Sequence, residues 1–182
     1  MFVWLYFVLK CLYFFLPAYF ANMAPVIFKN LPIKKYPVDF CQKFKGKRIF
    51  GKNKSWNGLV YGVIFAIIIT LVQAFLLNKT DFFSSLLLVD YTNWLLLGFL
   101  LGFGSLVGDL IESFIKRQIG KAPGKPCPII DQIDYVLGGL LFAIFAFPVT
   151  LNMVITLILV SIVLTIIINH LSYFLKIRGE KW

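Results

Sequence analysis

From Tyr135 to Leu175 the chain runs for 41 residues without a formal charge. As helix that length is about 60 Å, twice the hydrocarbon thickness of a bilayer. The segment therefore has to cross, turn and cross back, and the turn is expected at Phe147-Pro148 through Asn152, where a proline and a polar residue interrupt the run. Leu59 to Leu77 and Tyr91 to Gly108 are further uncharged stretches long enough to span. With 60% hydrophobic residues, 14% charged residues and a mean hydropathy of +0.86, a 182-residue chain has too much apolar surface to hide in one soluble core.

The sequence thus reads as an all-α polytopic membrane protein, a single domain over residues 1–182. About five transmembrane helices are expected, roughly at 4–28, 59–77, 91–115, 132–150 and 152–175. Lys10, Pro17, Asn22 and Pro25 interrupt the first span and predict a kink. No positive charge precedes Lys10 and no small-residue cleavage site follows, which favours a retained span over a signal peptide. Phe82 to Val89 is apolar but short, and reads as an interfacial or re-entrant lead-in to the third span. Cys11, Cys41 and Cys127 are odd in number and lack metal-ligand spacing, so neither a disulfide framework nor a zinc site is expected.

The net charge of +10 is unevenly spread. Nine basic residues fall between Lys29 and Asn57, four between Lys116 and Ile130, and three after Leu175. Five spans put these regions on one side, where the positive-inside rule makes them cytoplasmic. The N-terminus is then outside, the C-terminus inside, and residues 29–58 and 116–131 form cytoplasmic loops. The charge sets orientation in a cell membrane and does not point to nucleic acid.

One stretch resists a purely structural account. Residues 108–134 carry four of the eight acids and four basic residues between two apolar segments. Charges beside a bilayer are costly without partners or a task. On a helix Asp109, Glu112, Ser113 and Lys116 share one face. Asp131 and Asp134 repeat the i, i+3 spacing as the next apolar run begins. Clustered carboxylates ringed by cations suit a divalent ion with a polyphosphate: Asp131 and Asp134 would flank Mg²⁺, with Asp109 reaching across. Lys116, Arg117, Lys121 and Lys125 would neutralise phosphates. No general base is apparent, and a phosphomonoester nucleophile, largely dianionic at neutral pH, needs none. Taken alone, Asp131 serves equally well as a helix N-cap with Asp134 at N3, and Lys116 and Arg117 as positive-inside anchors.

Gly108-Asp-Leu-Ile-Glu-Ser-Phe-Ile-Lys-Arg117, then Lys121, Pro123-Gly124 and Asp131-x-x-Asp134, resembles the signature of the CDP-diglyceride synthetases, the phosphatidate cytidylyltransferases. The chain lacks that pattern's His-Gly-Gly after Pro-Gly and has Gln132 where an Arg is usual. These departures resemble the short archaeal branch, the CDP-archaeol synthases, as do Leu16 to Val26, Gly51-Lys-Asn-Lys-Ser-Trp-Asn-Gly58 and Pro123-Gly-Lys-Pro-Cys-Pro128. The resemblance implies transfer of CMP from CTP to the lipid 2,3-di-O-geranylgeranylglycerol 1-phosphate with Mg²⁺, at the cytoplasmic face. It implies catalytic and metal-binding roles for Asp109, Asp131 and Asp134. Substrate roles fall to Asn22, Lys52, Lys54, Ser55, Glu112, Ser113, Lys116, Arg117, Lys121 and Lys125. An ester-linked phosphatidate substrate is the alternative.

Other classes fit less well. CDP-alcohol phosphotransferases need a longer aspartate array, and histidine-type lipid phosphatases need more than the lone His170. A non-enzymatic transporter would carry its charges at mid-membrane depth. Gly98-x-x-x-Gly102 and Gly104-x-x-x-Gly108 predict close helix packing in the third span.

Overall fold

A computed structural model describes residues 2–27, 34–51, 53–77, 79–122, 127 and 130–174. Its elements in chain order are α1 (Phe2–Ile27), β1 (Lys43–Phe44), β2 (Lys47–Arg48), α2 (Trp56–Leu77), α3 (Asp81–Ser85), α4 (Trp94–Gln118), α5 (Ile130–Ala143) and α6 (Leu151–Phe174). Among the described residues, four helices are long and apolar enough to cross a membrane: α1, α2, α4 and α6. The chain is a multi-pass, almost wholly helical membrane protein.

The expected crossing at 132–150 is shorter than the sequence suggests. α5 has 14 residues, about 21 Å of helix against a hydrocarbon core of about 30 Å. Pro148 disfavours helix at the residue before it. The chain unwinds ahead of it through turns in which the N–H groups of Phe145 and Ala146 donate to the carbonyls of Phe142 and Ala143. α6 then starts on Thr150, whose hydroxyl accepts the Met153 N–H at 3.3 Å. Phe82 to Val89 divides between the single turn of α3 and a buried stretch containing Leu86 and Val89.

α4 lies between α2 and α5, and its glycines determine how closely. Gly98 and Gly102 face α2: a Cβ at either would come within 2.5 Å of Thr70 Oγ1 or Ala66 Cβ. Gly104 and Gly108 lie about 120° round the helix and face α5, where a Cβ at Gly104 would sit 2.6 Å from the Gly138 carbonyl. In lipid, such close backbone approach replaces the hydrophobic drive of a soluble core. Two hydrogen bonds between polar groups tie the helices across their contacts. Gln73 Nε2 donates to the Tyr13 carbonyl at 2.5 Å, and Tyr19 shares a 2.6 Å hydrogen bond with Ser161.

The basic segment before α2 is ordered by a hairpin. β1 and β2 pair Lys43 with Arg48 and Phe44 with Lys47. Lys45 and Gly46 turn between them, both at positive φ (48° and 77°), as a tight two-residue loop requires. Pro37 bridges to Ser55, which carries the segment back to the start of α2.

Candidate active site

α4 ends in a glycine-terminated motif. Gly120, at φ 84°, follows the helix; its N–H donates to the Arg117 carbonyl and that of Lys121 to the Lys116 carbonyl. These are the two bonds of a glycine-terminated helix end. Lys47 from the hairpin donates to the Gln118 carbonyl at 2.6 Å. The face carrying Asp109, Glu112, Ser113 and Lys116 is thereby held against α5 on one side and the hairpin segment on the other.

A cavity of about 190 Å³ opens there. Asn22 of α1 lines it with Phe50, Asn53 and Lys54 of the segment before α2. α4 contributes Asp109, Glu112, Ser113, Lys116 and Arg117, and α5 contributes Asp131 and Asp134. Four carboxylates face three cations in this space.

Three of the carboxylates converge. Asp109, Glu112 and Asp134 each offer an oxygen within 4.8 Å of the other two, with no sulfur or imidazole among them. An all-oxygen carboxylate set suits a hard divalent cation. Of the expected set Asp109, Asp131 and Asp134, Asp131 lies outside this group, and Glu112 lies within it. The reason is the approach of α5: Gly108 lies against the Asp134 backbone, which brings Asp134 to α4. Asp131, one turn earlier, meets Lys116 instead, with Oδ1 2.7 Å from Nζ. Asp131 also accepts the Cys127 N–H at 2.9 Å while its own N–H donates to the Cys127 carbonyl, so it joins α5 to Cys127.

The cations are distributed unequally. Lys54 pairs with Asp109. Lys116 sits between Asp131 and Glu112, whose Oε1 is 2.5 Å away. Arg117 is only 7% exposed, yet its Nε and Nη1 have no hydrogen-bond partner among the described residues. Leaving guanidinium donors buried and unsatisfied costs free energy, so the position is suited to an anion.

Other expected site residues lie elsewhere. Ser55 Oγ accepts the Gly58 N–H at 3.2 Å, capping α2, and does not line the cavity. Lys121 also lies outside the lining, with Nζ 3.0 Å from Cys127 Sγ. Lys52 and Lys125 fall outside the described residues. Phe50 and Asn53 line the cavity without having been singled out in the sequence. Asn53 sits between two lysines of a motif that was, the only signal available for it.

The chain also matches a known family over nearly its whole length. The family described as CarS-like, CDP-archaeol synthase, matches residues 4–182. The chain belongs to the CDP-archaeol synthase family. The CDP-archaeol synthase of Methanocaldococcus jannaschii is 32% identical over 177 residues, covering 94% of this chain and 95% of that protein. Those of Methanococcus aeolicus and Pyrococcus furiosus are each 34% identical, over 98% and 96% of this chain and 98% of each relative. A solved structure described as an intramembrane enzyme for archaeal membrane lipids biosynthesis is 26% identical and superposes with a TM-score of 0.71. It covers 89% of this chain and 94% of its own.

Proposed function

We propose that this CDP-archaeol synthase family member, acting as a single catalytic unit over residues 1–182, transfers CMP from CTP to an isoprenoid ether-lipid glycerol phosphate. The products are CDP-archaeol and pyrophosphate, and the reaction serves phospholipid biosynthesis. The lipid phosphate oxygen bonds to the α-phosphorus of CTP as the bond from that phosphorus to the bridging β-oxygen breaks. Pyrophosphate departs with the electron pair, and no proton need be removed from a phosphate dianion. The observation that carries this reading is one cavity containing both a convergent carboxylate group and a buried guanidinium with unused donors.

Asp109, Glu112 and Asp134 would hold Mg²⁺, which when bound supplies charge neutralisation for the triphosphate and polarises the reacting phosphate. Arg117 binds a phosphate oxygen through its fork, and Lys54 and Lys116 supply further charge. Asp131 holds Lys116 and the Cys127 backbone in place. Asn22 offers its amide from α1. Lys54, Lys116 and Arg117 of the lining belong to the basic stretches of the sequence, and the positive-inside rule would put these at the cytoplasmic face, where CTP is available. The lipid phosphate enters laterally from that leaflet, because its tails stay in the bilayer.

The test is incubation of the purified protein with CTP and equal amounts of the ether-linked and ester-linked lipid phosphates, with the lipid products identified by mass. CDP-archaeol as the main product supports the reading. Preference for the ester-linked lipid would make it a phosphatidate cytidylyltransferase, and no CDP-lipid from either would leave a non-enzymatic membrane role.

A further inference from the structure

Asp39 is the only acid between Lys29 and Asn57, a stretch with nine basic residues. It does not line the cavity. Its side chain is nevertheless buried, with the residue 4% exposed, and both carboxylate oxygens are fully used. Oδ1 accepts the Cys41 N–H at 3.0 Å and Arg48 Nη2 at 2.5 Å. Oδ2 accepts Arg48 Nε at 3.2 Å and the N–H groups of Phe50 and Gly51 at 3.2 and 3.1 Å. One side chain therefore ties the chain before the hairpin, the second strand of the hairpin and the chain after it.

The last of these leads to the cavity. Gly51 has φ 97°, a conformation costly for any other residue, and it redirects the chain. The Lys54 N–H donates to the Gly51 carbonyl at 3.4 Å, and the Lys54 carbonyl accepts the Val38 N–H at 3.0 Å. Gly51 is bonded to Asp39 and Val38 is its chain neighbour, so the backbone of Lys54 is pinned from both sides through Asp39. The Lys54 side chain reaches from there to Asp109, while Phe50 and Asn53 form the adjoining wall. Among its described residues the segment buries no apolar side chain to hold this geometry, and the carboxylate supplies it.

We propose that Asp39 is a positioning residue for the cavity: its buried carboxylate sets Phe50, Asn53 and Lys54 in place and thereby holds Lys54 against Asp109. Its catalytic consequence rests on the reaction proposed above, but the placement itself does not. Asp39→Asn puts an NH₂ group opposite donors and leaves Arg48 without its counter-charge. Arg48→Gln removes the guanidinium alone and keeps three backbone bonds.

Zero-length carbodiimide coupling of the full-length protein in nanodiscs reads the placement without turnover. Wild type should yield a Lys54–Asp109 amide, with the Lys116–Glu112 amide in the same sample as internal control. In Asp39→Asn, and to a smaller extent in Arg48→Gln, the ratio of the first product to the second should fall about fivefold or more, reflecting lost support for a side chain in contact. An unchanged ratio in both variants overturns the proposal, and Arg48→Gln alone decides the matter if Asp39→Asn does not insert. Turnover supplies the second arm. Asp39→Asn should lower kcat/KM about tenfold in wild type but less than about twofold once Lys54 is Gln, the non-additivity expected of residues acting as one unit. Losses that multiply would show that Asp39 does not act through Lys54. Amide ratios that fall as expected in a protein with no CTP turnover would instead count against the proposed reaction.

Discussion

Gly108 on α4 and Asp134 on α5 meet backbone to backbone: a methyl group at position 108 would overlap the Asp134 carbonyl. Gly138 makes the reciprocal approach, with the Gly108 backbone nitrogen 2.8 Å from where its Cβ would be. Neither neighbour is a flexible side chain that could move aside. The contact that brings two membrane helices together is therefore also the one that brings Asp134 to Asp109 and Glu112.

Gly108→Ala should separate α4 from α5 and enlarge the carboxylate group. A misplacement of about 1 Å at a reacting centre costs on the order of 100-fold, so CTP turnover should fall by about that factor while the protein still inserts. Gly46→Ala meets no atom within 4 Å of the added carbon; its φ of 77° strains the hairpin turn, but the α4–α5 contact is untouched, so turnover should fall far less. Steady-state kinetics on the two variants check the comparison.

Metal binding should follow the convergent group and not the Asp-x-x-Asp spacing. Glu112→Gln and Asp134→Asn should each weaken Mn²⁺ binding about tenfold or more, as loss of a carboxylate ligand does, whereas Asp131→Asn should retain most of it. Electron paramagnetic resonance titration of free Mn²⁺ measures this without turnover. Chelation of divalent cations should abolish activity in wild type, and added Mg²⁺ should restore it.

Arg117→Lys keeps the charge but loses the planar fork of donors. With Nε and Nη1 buried and without a partner among the described residues, this variant should lose about tenfold to 100-fold in kcat/KM, a charge-assisted pair being worth roughly 1.5–3 kcal/mol. Isothermal titration with CTP separates a nucleotide phosphate contact from a lipid one: weakened CTP binding assigns Arg117 to the nucleotide, unchanged binding to the lipid.

Much of this was legible in the residue pattern, and the limits are physical. Long uncharged runs dictate helices because lipid offers no partner for the backbone. The 3.6-residue period places Asp109, Glu112, Ser113 and Lys116 on one face without any tertiary information. Spacing alone could not say which of Asp131 and Asp134 joins Asp109 and Glu112, since i and i+3 share a face broadly and the choice depends on where two glycines let α5 approach. The same holds for Arg117, whose burial depends on the neighbouring elements. Asp39 looked like one stray acid in a basic loop, because nothing in its neighbours announces that five donors converge on it.

Asp39 should also make the hairpin sensitive to acid. Burial alone would raise its pKa, but the Arg48 guanidinium and the N–H groups of Gly51, Cys41 and Phe50 hold the carboxyl down to about 2. A depressed carboxylate stabilises the fold fully above its ordinary pKa of 3.8, and this contribution disappears as pH falls towards 2. In wild type a carboxyl chemical-shift titration should therefore give a midpoint near 2, and in Arg48→Gln the midpoint should rise towards the ordinary value of 3.8.

The central claim is the transfer of a nucleotidyl group to a lipid phosphate, and the fate of each phosphorus in CTP tests it most directly. Purified protein in nanodiscs containing the ether-linked lipid phosphate would receive CTP labelled at either the α- or the γ-phosphate, with Mg²⁺. The account predicts that the α label enters the lipid fraction and the γ label appears as pyrophosphate in equal amount, both lost in Asp134→Asn. Label from the γ-phosphate in the lipid, or neither label leaving CTP, would contradict it.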